Sequence, residues 1–531
     1  MPQHPTAKNL PGQLLIGRIW IALAVLLLLS GCQSYDQQTT QFTSATKAGS
    51  FAAAVIQIDK QAAKSAGSKD ELVYRLEQGA TLHAAALAEP TMVPDIRPPV
   101  APAKTGEAPV APLPEPTPTE VHRYYLTRSI AAFDRAEAMV PNSWDEQTKQ
   151  VKVSSEIGAA LTNQANLPYS GRDYDKIMMN TYKALSYLGL GDKDKARVEL
   201  NRAEMRRKDA VAANEKRIVT LQDEQEKARK GELKDETGKS AAYDSAKALE
   251  DPKTGSGLQA TYEASTALIK PYGDYENPFT LFVSGLFLTV LGEGSDFEQG
   301  RNYFERVASM VPENNFVRAD LDTATQAAKS HKAPSGITYV IFETGRAPSR
   351  DQVRVDIPTF LVTSKLAYVG ASFPKLKFNS DYIPSLGVTA GESTVQTSTV
   401  ASMDSVIATD FKNEWPSIVT KTIITTATKA IIQAVVQKAV EDRARGGWGA
   451  LAGLVMTGIN SSTNIADTRT WTSLPKEFQY ARVATPANRE LKLEAGGVQK
   501  TVVLEPGLVN VVYVKSTSTT APLLVSTFVL R

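Results

Sequence analysis

Three stretches of this chain repeat one spacing of small, aromatic and proline residues, and that repetition limits what it can fold into. Ser129-Ile130-Ala131-Ala132-Phe133-Asp134-Arg135-Ala136, ending at Pro141, sets a small residue first, an aromatic four later, a small residue three after that and a proline five further on. Ala184, Tyr187, Leu190-Gly191-Asp192, Ala196, Leu200 and Ala203 give a fuller copy, in which one helix ends in a Gly-Asp turn and a second packs back through alanines. Phe297-Glu298-Gln299-Gly300, Phe304, Val307 and Pro312 form a third. Its first helix opens at Asn277-Pro278, an N-cap followed by proline at the first helical position. Two helices cross closely only where small residues meet, and an aromatic fills the gap beside them. Phe133 and Leu200 lie about two periods of a 34-residue helix-pair repeat apart. Leu200 and Phe304 do not, so an insertion separates the last two copies. The plainer alternative is a generic antiparallel helical bundle.

Two segments interrupt the helical region, which spans 49–330. Residues 90–118 carry ten prolines. Proline fixes φ and removes amide donors, so this stretch is expected to be an extended, exposed inserted linker, or else a ligand for a proline-binding groove. Residues 194–257 begin with dense charge on helix-forming residues (Glu204, Arg206, Arg207, Lys208, Glu215, Lys216, Arg217) and sparse apolar positions (Val211, Ile218, Leu221). This charged helical extension reads as a long helix projecting beyond the repeat, either solvated or a partner-binding coiled-coil arm. Its end, Leu233–Gly257, reads as a loop or a frayed end.

After Pro334 the pattern turns to strands. Ile337–Glu343 is a short apolar run, Val353, Val355 and Ile357 alternate with polar residues, and Leu366–Ser372 offers a third strand. Residues 379–401, rich in Ser, Thr and Gly, suggest a long loop. Leu491–Glu494, Val498–Leu504, Gly507–Val514 and Leu523–Leu530 are further β-branched runs. Between them, Ile423, Ile424, Ala427, Ala430, Ile431, Ala434 and Val435 make one apolar helical face, and Gly449–Gly453 begins a second, more apolar helix. The expected fold is therefore multidomain. An all-α, tetratricopeptide-like repeat domain (49–330) precedes an α+β, β-sandwich-like domain (336–531) with a helical hairpin inserted at 404–462. The apolar Trp448–Ile459 is too short for a membrane span; it is expected to be buried, with a membrane-inserting or pore-forming hairpin as the alternative.

The lone cysteine gives the compartment. Lys8 and Arg18 precede an apolar stretch, Ile19–Leu29, and Leu29-Ser30-Gly31-Cys32 closes it, the pattern of a lipoprotein signal peptide over 1–31. Cys32 then becomes the lipidated first residue, its sulfur and amine carrying acyl chains such as palmitate, and 32–48 reads as a flexible tether. By resemblance to enteric-type lipoproteins, Gln33 rather than Asp after the cysteine implies sorting to the outer membrane, with the body facing the periplasm. Removing 1–31 takes away Lys8 and Arg18 and no acid, which cancels the net charge of +2. Nothing global attracts nucleic acid. With one cysteine no internal disulfide forms, so packed cores must hold the fold.

Chemistry is sparse. His83, His122 and His331 are scattered without metal-ligand spacing. Ser44-Ala45-Thr46-Lys47, Ser372-Phe373-Pro374-Lys375 and Ser473-Leu474-Pro475-Lys476 match a Ser-x-x-Lys box. The first lies in the tether, however, and proline breaks the helix that the other two need. Acidic pairs Asp173/Asp175 and Asp192/Asp194 sit at repeat turns, where capping is their plain role. No cofactor and no metal are expected.

Asn180-Thr181-Tyr182-Lys183-Ala184, Asn277-Pro278-Phe279, Tyr339-Val340-Ile341-Phe342-Glu343-Thr344-Gly345-Arg346-Ala347-Pro348 and Asp467-Thr468-Arg469-Thr470-Trp471-Thr472-Ser473-Leu474-Pro475, with the helical insert, give the chain its resemblance to a family of uncharacterised bacterial lipoproteins with tetratricopeptide repeats. The resemblance covers most of the chain after Cys32, with 90–118 as an insertion. It implies no activity and tilts the partners towards envelope proteins, including peptidoglycan-synthesis machinery. The expectation is a non-enzymatic envelope scaffold, with Asn180, Lys183, Arg346 and Arg469 as candidate partner-binding residues. An activator of an envelope enzyme, or an enzyme in its own right, is the alternative; the enzyme would be marked by Asp467, Arg469 and Ser473 converging in one pocket.

Overall fold

The computed structural model describes residues 35–97, 114–140, 164–235, 238–270, 272–362, 367–443 and 465–531. Cys32, the signal segment, most of the proline tract and Trp448–Ile459 lie outside them.

Helices come first along the chain: α1 (Tyr35–Lys47), α2 (Phe51–Lys64), α3 (Glu71–Ala86), α4 (Pro118–Glu137), α5 (Asp173–Gly189), α6 (Lys193–Lys230), α7 (Ser245–Glu250), α8 (Pro252–Thr266), α9 (Pro278–Leu291), α10 (Asp296–Met310) and α11 (Asn315–Ser330). Strands β1 (Ile337–Thr344), β2 (Ser349–Pro358), β3 (Tyr368–Lys377), β4 (Gly387–Ala390), β5 (Ser393–Gln396) and β6 (Ser398–Ser402) follow. The long helix α12 (Met403–Arg443) then leads to β7 (Glu477–Ala484), β8 (Glu490–Ala495), β9 (Val498–Val503), β10 (Val509–Ser516) and β11 (Leu524–Val529). A helical region followed by a sheet-rich α+β region is thus the observed order. Only the first helix of the expected hairpin, α12, lies within the described residues.

Three layers stack. The middle one is a five-stranded sheet in the order β11-β10-β1-β7-β6. β1 runs parallel to β10 and antiparallel to β7. Side chains alternate across it with the period of two that a strand imposes. Val340, Phe342, Ala481, Val483, Val512 and Val514 face the four-stranded sheet β5-β4-β8-β9, meeting Val388, Leu491 and Leu493. Tyr339, Ile341, Phe478, Tyr480, Val511 and Tyr513 belong to the core shared with the helices. That core is continuous from Tyr35 to Leu530, so the regions before and after residue 330 bury one common interior.

The helices form antiparallel pairs, α3 with α4, α5 with α6 and α9 with α10. Small residues set the crossings. A Cβ on Gly79 would stand 2.4 Å from the ring of Phe133, and Ser129 Oγ donates to the Gly79 carbonyl at 2.7 Å. Gly285 meets Phe304 in the same way at 3.2 Å. The first helix of each pair is turned onto the sheet. Phe279 stacks on Phe478 at 3.8 Å, Phe282 lies 4.3 Å from Tyr480, and Tyr182 reaches Trp471 and Glu343. The inner face of the helical layer is therefore filled by the protein's own sheet.

Four expectations change. Residues 35–47 are not a tether. Tyr35 and Phe42 are buried, and the Tyr35 hydroxyl donates to Glu77 at 3.2 Å, so the polar sequence folds as a docked helix. Residues 379–401 are not one loop: β-branched Val388, Thr389, Thr394 and Val395 pair as a hairpin around Gly391, whose φ of 61° glycine adopts readily. Helix α6 does not project alone. Its second half is braced on α12 by Lys421–Glu224 (3.3 Å), by Gln225 donating to Thr420 (3.2 Å), and by Ala228 against Ile424. Within 233–257, where a loop or frayed end was expected, Ser245–Glu250 and the start of Pro252–Thr266 are helical.

Candidate functional site

The first turn of α5, the middle of α6, the start of β2 and the second and third turns of α12 converge on a group of buried charges. Asp410 and Glu414 lie four residues apart on α12 and so share one helical face. Glu414 pairs with Arg172, which precedes α5, and with Arg350 of β2 at 3.1 Å. Arg217 of α6 reaches Asp173 at 3.3 Å. Asp175 accepts the Tyr169 hydroxyl at 2.5 Å and the Arg172 amide at 2.9 Å, which closes the cap of α5. Arg350 is 1 % exposed and its guanidinium lies 5.3 Å from the Phe411 ring centre.

The group leaves several polar atoms without a hydrogen-bond partner among the described residues. Both carboxyl oxygens of Asp410, the Tyr275 hydroxyl, Arg350 Nε and Nη1, Arg172 Nε, Arg217 Nη1, Asn413 Nδ2 and Asp175 Oδ1 are all orphaned. Buried polar groups are normally paired, so this concentration marks a place built for something other than stability alone. Two of the orphans, Asp410 and Tyr275, line a cavity between α12 and the segment 272–277, together with Tyr174, Ile177, Tyr272, Gly273, Glu276, Asn277, Val406 and Thr409. Tyr275 holds a left-handed backbone with φ 60°, a strained conformation for a tyrosine.

Burial and the neighbouring charges push the two α12 carboxyls in opposite directions. Burial, then the nearby Glu414 and Asp173, raise Asp410 well above the usual carboxylate range. Burial also works against ionised Glu414, but Arg172 and Arg350 outweigh it and hold that group low. Burial raises Asp175 to about 6 despite its hydrogen bonds from Tyr169 and Arg172. A carboxyl raised in the folded state binds its proton more tightly there than in the unfolded chain. Asp175 therefore withdraws stability as pH rises from about 4 to 6, at up to about 1.4 kcal/mol per pH unit, and Asp410 acts in the same direction. Glu414 acts oppositely, its contribution being present above its unfolded value near 4.5 and lost as pH falls below it. Urea midpoints measured from pH 4 to 7 should therefore change with pH less negatively in Asp175→Asn than in the parent chain. An unchanged slope in that variant would remove Asp175 from the account.

The residues expected from sequence lie elsewhere. Asn180 and Lys183 do not face a groove; they are 0 % and 1 % exposed. Asn180 donates to Glu137 and Glu199, and Lys183 pairs with Asp134, Glu137 and Glu199 at 2.6–3.0 Å, tying α4, α5 and α6 together. Burial opposes the Lys183 ammonium, yet these acids outweigh it and push it up to about 12. Both positions fall on the first helix of their pair, the helix that the sheet covers. Arg469 is also buried. It pairs with Asp467 (2.8 Å) and Asp70 (3.0 Å), donates to the carbonyls of Leu167 and Gln164, and lies over the Tyr169 ring. Arg346 is half-buried in the turn after β1. Asp467, Arg469 and Ser473 do not gather in the cavity: Ser473 Oγ accepts from Trp471 Nε1 at 2.8 Å and its amide donates to Glu77. The flagged Asp173 and Asp175 do reach the charged group. Asp410, Glu414, Arg172, Arg350 and Tyr275 were not singled out from sequence; the available signal was a pair of acids four apart at the start of an otherwise apolar helix.

No group of three or more His, Cys, Asp or Glu side chains suited to a metal occurs among the described residues, and no helix there is long and apolar enough to cross a membrane. Compared with protein-family models, with curated proteins and with solved structures, the chain finds no match in any of the three.

Proposed function

We propose that this chain is a lipoprotein of the outer membrane, acylated at Cys32 and facing the periplasm, that serves as a protein–protein interaction scaffold of the cell envelope. The helix pairs are read as tetratricopeptide-like repeats, supported by the tight Gly79–Phe133 and Gly285–Phe304 crossings. The two facing sheets are read as a sandwich carrying the helical insert. With the inner face of the repeat layer occupied by β1, β7 and β10, partner binding falls to the outer helices. The observation that carries this reading is a row of exposed apolar residues on α6. Val198, Met205 and Val219 recur at multiples of seven, so they share one face, and all are 47–67 % exposed. A row of that kind on a helix whose other side is buried is the footprint of a docking helix. Because α1 starts at Tyr35, an acyl group on Cys32 would hold the body close to the membrane rather than on a long leash.

The test is crosslinking in intact envelopes with the full chain and with Met205→Asp/Val219→Asp, alongside membrane fractionation of Cys32→Ser. A crosslinked envelope protein lost only in the α6 variant, peptidoglycan-synthesis components being the first candidates, supports the scaffold. Release of Cys32→Ser from the membrane fraction supports the anchor. An identical crosslinking pattern in the α6 variant overturns the docking role of this helix.

The divergent carboxyls Asp410 and Glu414 favour a second reading, an envelope enzyme with Asp410 as acid and Glu414 as ionised partner. Two acids driven apart by their surroundings are the usual arrangement for acid–base work. Loss of a peptidoglycan- or envelope-modifying activity in Asp410→Asn, with unchanged crosslinking, would support it over the scaffold.

A further inference from the structure

The cavity beside Asp410 has a lining whose chemistry is one-sided. Three tyrosine rings (Tyr174, Tyr272 and Tyr275) and two acids (Glu276 and Asp410) contribute to it, and no lysine, arginine or histidine does. Ring faces and carboxylates both attract cations. Asp410 is 5 % exposed and offers two unpartnered oxygens; Tyr275 is 8 % exposed and offers an unpartnered hydroxyl. Glu276 is engaged by Arg207 and Arg306 at 2.8–3.1 Å, which leaves Asp410 as the free acceptor. The enclosed space suits a head group about the size of a water molecule. We infer that this cavity binds the primary ammonium group of a small amine, with Asp410 and the Tyr275 hydroxyl accepting its hydrogen bonds and the tyrosine rings surrounding its charge. This site is independent of the scaffold reading, because it lies in the interior between α12 and residues 272–277 rather than on the outer face of α6.

The surroundings define how binding couples to protons. Facing Asp410 are Glu414 on its own helix, Asp173, Tyr174 and Arg172 around the start of α5, Arg217 of α6, Arg350 of β2, and Tyr275. Arg217 is occupied by Asp173 and Arg350 by Glu414. Burial, Glu414 and Asp173 favour the protonated form of Asp410 and outweigh Arg172 and Arg350, which favour the carboxylate. An ammonium ion hydrogen-bonded to the Asp410 carboxylate favours its ionised form, so binding is coupled to loss of a proton from that group.

Isothermal titration of the full chain with methylammonium chloride, against sodium chloride at equal ionic strength, tests this. One site per chain is expected, with proton release on binding, read from the difference between two buffers of unequal ionisation heat. Asp410→Asn should weaken binding at least tenfold and abolish the proton release. Tyr275→Phe, which removes a single hydroxyl, should weaken it severalfold and serves as the check if Asp410→Asn proves unfolded by circular dichroism. Tetramethylammonium, which is larger and has no N–H donors, should not bind. Glycinamide binding alongside methylammonium extends the site to the α-ammonium of amino acids and peptides; binding of methylammonium alone restricts it to simple amines. Absence of binding, equal binding of potassium or tetramethylammonium, or binding unchanged in Asp410→Asn and Tyr275→Phe overturns the inference and leaves the cavity to ordered water.

Discussion

Glu343→Ala should lower the unfolding free energy by about 3–5 kcal/mol, the cost of leaving a buried charge without its partner. Glu343 of β1 is 0 % exposed, and Lys515 of β10, paired with it, is 4 % exposed. The same carboxylate accepts the Tyr182 hydroxyl of α5 at 3.0 Å and the Tyr513 hydroxyl of β10 at 2.5 Å. Removing it strands an ammonium and two hydroxyls between the helical layer and the sheet. Since that contact joins the two halves of the chain, far-UV circular dichroism (helix) and tyrosine fluorescence should report one shared transition, moved together to lower urea. The double variant Glu343→Leu/Lys515→Met should recover part of the loss, because a matched apolar pair leaves no charge behind. A loss under about 1 kcal/mol, or separate transitions for helix and sheet, would contradict the continuous core.

The second large effect is expected at Glu414→Ala, again about 3–5 kcal/mol. Arg172 and Arg350 converge on this one carboxylate, and among the described residues Arg350 forms no other ion pair. Its Nε and Nη1 already lack partners among the described residues, so the variant leaves an uncompensated guanidinium in the interior. Arg350→Met should restore part of the stability of Glu414→Ala, and the coupling between them, read by a double-mutant cycle in urea, should exceed about 1 kcal/mol. Additivity of the two changes would mean that water reaches Arg350 and screens it.

Helix pairs and strands were legible where a local pattern sufficed. The Gly-Asp turn at Gly191-Asp192 ends α5, and Asp192 caps α6 by accepting the Lys195 amide at 3.1 Å. Asn277 caps α9 with Pro278 at its first turn, as read from the dipeptide. The Thr117–Glu120 capping box that starts α4 at the end of the proline tract is equally local, although it was not read from the sequence. The apolar run at β1 is buried on both faces, as a central strand requires. The polar segment 35–47 misled, because composition says nothing of a helix whose few apolar residues, Tyr35 and Phe42, find a groove made by distant parts of the chain. β7 was overlooked: Glu477–Ala484 mixes polar and apolar residues, and only its place between β1 and β6 makes it a strand.

The candidate site was hidden for a related reason. Arg172, Arg217, Arg350, Asp410 and Glu414 are scattered over some 240 positions, and each alone resembles an ordinary surface charge. Asn180 and Lys183 show the converse. Their polarity suggested an exposed groove, whereas the fold turned their helix inward and paired them with Glu137 and Glu199. Residue periodicity, caps and turns act over a few neighbours, so the sequence by itself determined where helices pair and where strands begin. Which face of the helical layer is covered, which charges are desolvated together and where a carboxyl is left without a partner depend on contacts between residues hundreds of positions apart. Only the tertiary packing of the sheet against the helices decided them, because burial removes the water that would otherwise make every charged side chain equivalent.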